Sequence, residues 1–260
     1  MEMHSLPEIV KQWATDSYKL KATDEEKSLK PENLSLFVNW QHMTANHAEP
    51  EYSSEEVLEL PAKIVSSVSF RNDKPTVQNF PFSVECETEC VSEVHINSTV
   101  ILPDELPLKM AFTGLVAPLK LGRNQLTFDT GSLHWSEVTH SPYRQESTLA
   151  VPPGQTIVAE ASYTEKDSRC EFKLITTLRG RILADFKDPS KGNKFVMDLE
   201  GDIVDIVAEM LYKGMNENNT IWIGTDKIGR NVVFMKTIGQ CKFRYCDRTS
   251  MKACEKGNDT

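Results

Sequence analysis

From Val57 onward, apolar side chains recur at every second position over long stretches rich in Val, Ile, Ser and Thr. Successive residues of an extended strand point to opposite faces, so this period builds strands with one buried and one wet face. The alternation predicts strands over 62–72, 80–102, 126–146, 156–164, 170–186, 194–200, 220–225, 231–238 and 241–245. Several exceed the usual five or six residues. Long strands in a chain of 260 residues imply an elongated, mainly β protein and not a compact sandwich.

The first 56 residues read differently, as a small helical or mixed region. Leu6, Ile9, Val10 and Trp13 share one helical face over 6–20, Ser5 can cap its start, and Pro7 is tolerated in the first turn. Residues 21–33 are charged and loop-like, 34–40 fit a strand or a short helix, and 44–56 are polar. Residues 57–260 then form the β module. Inside it, Ile203, Ile206, Val207, Met210 and Leu211 have helical spacing, with Asp202 as a cap and Gly214 beyond the end. Val204, Ile206 and Ala208 also alternate as a strand would.

Charge is uneven around a net value of −9. Residues 1–60 hold five Lys and twelve Asp or Glu, whereas 227–256 hold eight Lys or Arg against Asp247 and Glu255. A basic C-terminal face suits phospholipid headgroups or acidic partners, but the overall acidity argues against a nucleic-acid partner. No uncharged apolar run approaches the ~18 residues of a membrane-spanning helix. Glu2, Glu8, Lys11 and Asp16 interrupt the N-terminal segment, so no secretory signal is expected, and localisation stays open between release from the cell and the cytoplasm.

The motifs predict no enzyme and no cofactor. GxSxG, HExxH, GxGxxG and P-loop sequences are absent, and the carboxylates are scattered. His134 and His140 flank Trp135, where polar positions of a half-exposed strand are the simpler reading than a metal pair. Cys86 and Cys90 on one strand would stand roughly 13 Å apart, too far for a mutual disulfide. With Cys170, Cys241, Cys246 and Cys254, six cysteines allow about 15 pairings, and none is selected by spacing.

Residues 91–146 carry the functional signal. Val94, Ile96, Val100 and Leu102 fall on one face, with Glu93, His95, Asn97 and Thr99 on the other. Leu106, Leu108, Met110 and Phe112 then alternate with Pro107, Lys109 and Ala111, and Gly114 to Ala117 can make an apolar turn. Leu119 and Leu121 follow, and the return strand runs through Leu126 and Phe128 to Leu133 and Trp135. Such a hairpin can fold against its own body, or several copies can close into a barrel whose outside meets lipid.

At this point the order of features resembles a family. Lys63 to Asp73 followed by Phe80 to Glu85 looks like the strand, Asn-Asp turn and Phe-rich strand that open the aerolysin module. Ser132-Leu133-His134-Trp135-Ser136-Glu137, then Thr148 to Thr156 with its Val151-Pro152-Pro153-Gly154 turn, is similar to aerolysin-like toxins of the epsilon-toxin and mosquitocidal-toxin type. The strand over 170–181, ending Arg179-Gly180-Arg181, resembles the next element, and the likeness spans roughly 57–225. It implies a mainly β, elongated aerolysin-like module of long antiparallel strands. It also implies a soluble protein that binds a lipid or glycan receptor on a target membrane, forms a homo-oligomer and inserts its hairpin as a transmembrane β-barrel. By the same resemblance, 202–211 is expected as a strand.

Leu106, Leu108, Met110, Phe112, Leu115, Val116, Leu119 and Leu121 are then the membrane-inserting residues, and Lys109, Lys120 and Arg123 line the lumen or touch headgroups. The alternative is a carbohydrate- or lipid-binding defence or storage protein on the same fold that does not insert. Pro103, Pro107 and Pro118 favour it, because proline removes ladder donors. Trp13, Tyr18, Trp40 and Tyr52 are its candidate receptor contacts, since aromatic rings stack on sugars and anchor at interfaces.

Overall fold

The computed structural model describes residues 5–111, 125–129, 131–214 and 220–255. The chain opens with α1 (Leu6–Lys21), capped by the Ser5 hydroxyl, which accepts from the Glu8 N–H. A single turn, α2 (Asp24–Lys27), and four short strands follow: β1 (Ser35–Asn39), β2 (Met43–His47), β3 (Glu51–Tyr52) and β4 (Glu56–Glu59). Then come β5 (Lys63–Arg71), β6 (Gln78–Ser98), β7 (Leu108–Ala111), β8 (Gln125–Phe128), β9 (His134–Val151) and β10 (Thr156–Asp188). The chain continues with β11 (Lys194–Asp202), α3 (Ile203–Tyr212), β12 (Ile221–Thr225) and β13 (Asn231–Glu255).

β10 is the spine. Its 33 residues give a contour length of roughly 110 Å. β13 runs antiparallel to it from Ile157↔Glu255 to Leu178↔Val233. Along its other edge β5, β4, β3 and β2 line up end to end. The last residues of β10 lie between β1 and β11. Beyond β13 the sheet continues into β6, over Val91 to Ser98, and then β9, whose register with β6 runs from Gln78↔Val151 to His95↔His134.

Three apolar clusters divide this long sheet. At one end α1 and α3 pack on β10 and β11, so Leu6, Val10 and Trp13 share a core with Ile182, Phe186, Leu199 and Ile206. In the middle, Val94, Ile96, Phe172, Leu174 and Phe243 carry the β7–β8 pair. At the far end β6 leaves β13, and Phe82 and Val84 pack on Ala159 and Ala161 of β10.

The alternation locates the strands but divides them too finely. The expected pair 156–164 and 170–186 is one strand, and so is 231–238 with 241–245. The polar residues between them stay in the ladder because they are paired across it: Lys63 reaches the buried Glu165 at 2.9 Å, and Lys166 meets Asp247 at 2.9 Å. The expected strand 126–146 is two strands, β8 and β9. The strand expected over 202–211 from family resemblance is instead α3. The Asp202 carboxylate caps it, accepting from the Val204 N–H at 2.9 Å, and Ile203, Ile206, Val207 and Met210 form its buried face. Helical periodicity there was the correct physical signal.

Gly239 marks a close approach. It sits at a register shift in β13, and a Cβ there would meet the His95 carbonyl and the Phe172 ring. Gly239→Ala is expected to lower stability by about 1–3 kcal/mol through overpacking, read as a reduced midpoint in chemical denaturation.

Candidate functional site

The 35 residues between Ser98 and His134 leave the main sheet and return to it. Their described strands are β7 and β8, an antiparallel pair with Leu108 opposite Phe128 and Met110 opposite Leu126. All four side chains are buried, Met110 to 1% exposure, while Lys109, Gln125 and Thr127 face outward. The apolar face lies on the middle cluster with Phe172, Leu174 and Phe243. Burying four such side chains stabilises the docked hairpin by about 1.5–3 kcal/mol each.

Polar contacts fasten the hairpin at its edge and root. The Tyr52 hydroxyl donates to the Ala111 carbonyl at 3.3 Å. His47 on β2 contacts the Thr176 hydroxyl through Nδ1 at 2.9 Å, and the Pro107 carbonyl faces its imidazole. Burial pushes its imidazole below the ordinary value, Lys109 acts in the same direction, and the Pro107 carbonyl opposes them. In the lead-in, the Thr99 and Thr237 hydroxyls pair at 2.7 Å, and the Leu106 N–H donates to the Pro103 carbonyl at 2.9 Å.

The predicted inserting residues separate into groups. Leu108 and Met110 are on the docked apolar face, and Lys109 is on the wet face. Leu106 precedes β7 and is buried with Val100 and Leu102 in the core beside α1. Phe112, Leu115, Val116, Leu119, Lys120, Leu121 and Arg123 lie outside the described residues. Pro103 and Pro107 fall in the lead-in rather than in a ladder, which removes their conflict with strand pairing here.

The candidate receptor aromatics sit elsewhere than expected. Trp13, Tyr18 and Trp40 are buried in the main core. Tyr18 packs on Phe186 with tilted rings, 4.8 Å between centroids, and its hydroxyl donates to the Glu26 carbonyl at 2.7 Å. Tyr52 is half-buried against the hairpin. Burial leaves the first three unable to present a ring face to a ligand in this conformation. Other rings are exposed, among them Phe37 on β1 and Phe195 on β11, which flank Lys187, whose ammonium lies 4.6 Å from the Phe37 ring centroid. Isolated in sequence and brought together only through β10, these two carried no sequence signal.

At the hairpin base, the last β6–β9 pair is His95 and His134, with rings 4.3 Å apart and Glu93 3.9 Å from His95. His140 is opposite Glu89 and not beside His134. Among the described residues no group of three His, Cys, Asp or Glu side chains is placed to hold a metal ion. No helix among them is long and apolar enough to cross a membrane.

No protein-family model and no curated protein matches the sequence. Solved structures do match its fold. A non-toxic crystal protein from Bacillus thuringiensis aligns with a TM-score of 0.60 at 9% identity, covering 98% of each chain. A chain of the Cry23Aa1 and Cry37Aa1 binary protein complex aligns at 0.54 with 8% identity, over 99% of this chain and 91% of that one. The Mpp75Aa1.1 β-pore-forming protein from Brevibacillus laterosporus aligns at 0.52 with 13% identity, over 84% and 72%. The mainly β, aerolysin-like architecture of long antiparallel strands is therefore the fold of this chain.

His47 sets a pH dependence for the docked hairpin. With its folded value below 6.5, the undocked state binds the proton more readily in the window beneath 6.5, so docking weakens as pH falls through it. Amide-exchange protection over Leu108–Ala111, corrected for intrinsic rates, is expected to fall between about pH 7 and pH 5. His47→Gln should flatten that dependence.

Proposed function

We propose that this chain is a pore-forming protein that binds a target membrane, oligomerises and releases the β7–β8 hairpin to build a transmembrane β-barrel. The observation that carries this reading is the docked amphipathic hairpin between two long strands, β6 and β9, already paired up to His95 and His134. The 35 residues between those strands suffice for two crossing strands of about 9–11 residues and a turn. Once undocked, Leu108, Met110, Leu126 and Phe128 need another apolar medium, and a closed barrel supplies it while pairing every backbone group. Phe112, Leu115, Val116, Leu119 and Leu121 extend the lipid-facing surface in this reading. Lys109, Lys120 and Arg123 face the lumen or the headgroups. The fold it shares with a protein described as β-pore-forming adds support.

For first contact with a lipid or glycan receptor, the exposed Phe37 and Phe195 beside Lys187 replace the buried aromatics. A ring face next to an ammonium suits a sugar or an anionic headgroup.

A second reading is a binding protein on the same fold that never inserts. Pro103 and Pro107 favour it, because they would remove donors if β6 and β7 merged into one strand. The fold shared with a protein described as non-toxic favours it too.

Dye release from vesicles made with target-cell lipid extract separates the two. The pore reading expects release together with a detergent-resistant oligomer on a gel. Binding with neither result would leave only the second reading. Met110→Lys and Phe128→Lys should each stop release, since a cation on the lipid face of a barrel costs about 2–4 kcal/mol near the midplane. Lys109→Glu should keep release and shift single-channel selectivity toward cations.

A further inference from the structure

Cys170 on β10 and Cys241 on β13 are directly opposite in the antiparallel ladder. Opposed residues in such a ladder have Cα atoms about 4.5–5.5 Å apart, inside the roughly 4.4–6.8 Å range of a disulfide. Both thiols are buried, at 5% and 1% exposure, in the cluster that carries the hairpin's apolar face. The other cysteines lack such a partner: Cys86 is opposite Tyr143, Cys90 opposite Thr139, Cys246 opposite Glu165 and Cys254 opposite Val158.

The two thiols are also chemically unequal. Hydrogen bonding from Cys241 pulls Cys170 below the ordinary thiol value. The same contact, together with burial, pushes Cys241 well above it. Cys170 is therefore the more readily deprotonated of the two and the attacking nucleophile, whereas Cys241 holds its proton more tightly. Nothing in pore formation uses this asymmetry.

We propose that Cys170 and Cys241 form a covalent switch, a dithiol shielded while β7–β8 is docked and closed to a disulfide by a low-molecular-weight disulfide once the hairpin has left. The proposal rests on the reading that the hairpin leaves. The chemistry balances with oxidised glutathione as oxidant. The Cys170 thiolate attacks one glutathione sulfur, forming a mixed disulfide and expelling glutathione thiolate. That thiolate takes the Cys241 proton, and the Cys241 sulfur then displaces the second glutathione from Cys170. The Cys170 proton, released to solvent when its thiolate forms, is taken up by the second glutathione thiolate, so the protein loses two electrons and two thiol protons and oxidised glutathione becomes two reduced molecules. The product ties the two longest strands together at the surface the hairpin has vacated.

Met110→Asp puts a carboxylate into the buried face and undocks the hairpin without a membrane. Wild type and variant are incubated with oxidised glutathione, alkylated, digested and mapped for the linked peptides holding Cys170 and Cys241. The linked pair is expected to form at least about ten-fold faster in the variant, because shielding then depends on local opening. Leu126→Asn serves in its place if Met110→Asp loses its far-UV signal. Cys241→Ser should stop at a glutathione adduct on Cys170, and Cys170→Ser should leave Cys241 unmodified. Equal rates in wild type and the undocked variant, or no linked pair in either, would overturn the switch. Wild type on dye-loaded vesicles separates the two ideas. With oxidised glutathione present, release by wild type without the linked pair refutes the switch and keeps the pore, whereas the linked pair in the undocked variant together with no release by wild type supports the switch and refutes the pore.

Discussion

Buried backbone groups must be paired, and β10 presents 33 consecutive residues of them. That requirement organises the molecule. β13 satisfies most of one edge, and the other is tiled by β5, β4, β3 and β2, with β1 and β11 flanking the last turn of the strand. The short N-terminal strands are thus lengths of edge cover for a strand that begins a hundred residues later. Charged residues are carried within the ladder because cross-strand partners neutralise them, as Lys63 does for Glu165.

The hairpin depends on this spine without belonging to it. Among the described residues β7 and β8 pair only with each other and meet the main sheet through side chains. An apolar face held by packing can exchange one apolar surface for another, whereas a strand locked into the ladder would first have to break its hydrogen bonds. The fastening at Tyr52 is a single hydrogen bond, contributing about 1 kcal/mol. Docking by replaceable contacts on a sheet held by irreplaceable ones is the physical basis for a part that can move on a body that does not.

Much of this was legible in the chain. Alternation located the strands, their unusual length and the two faces of β7 and β8, and the Ser5 and Asp202 caps marked helix starts that the structure contains. At 202–211 the 3.6-residue period was the better guide than family resemblance, because four apolar residues on one helical face pack against α1 and β10. The break over 165–169 was misread because charged residues interrupt the alternation there, and single-chain periodicity does not show the partner across the ladder. Trp13, Tyr18 and Trp40 read equally well as binding surface or core, and only the packing of α1 on β10 and β11 distinguished them.

By itself the sequence determined which side of each strand is apolar, because side-chain direction follows from local backbone geometry. What each apolar side meets was decided by tertiary structure alone. The hairpin's face lies on Phe172 and Phe243, and Cys170 comes opposite Cys241 although 71 residues separate them. Register between distant strands is set by the whole ladder together with the cores on either side of it, and no local pattern in either strand encodes it.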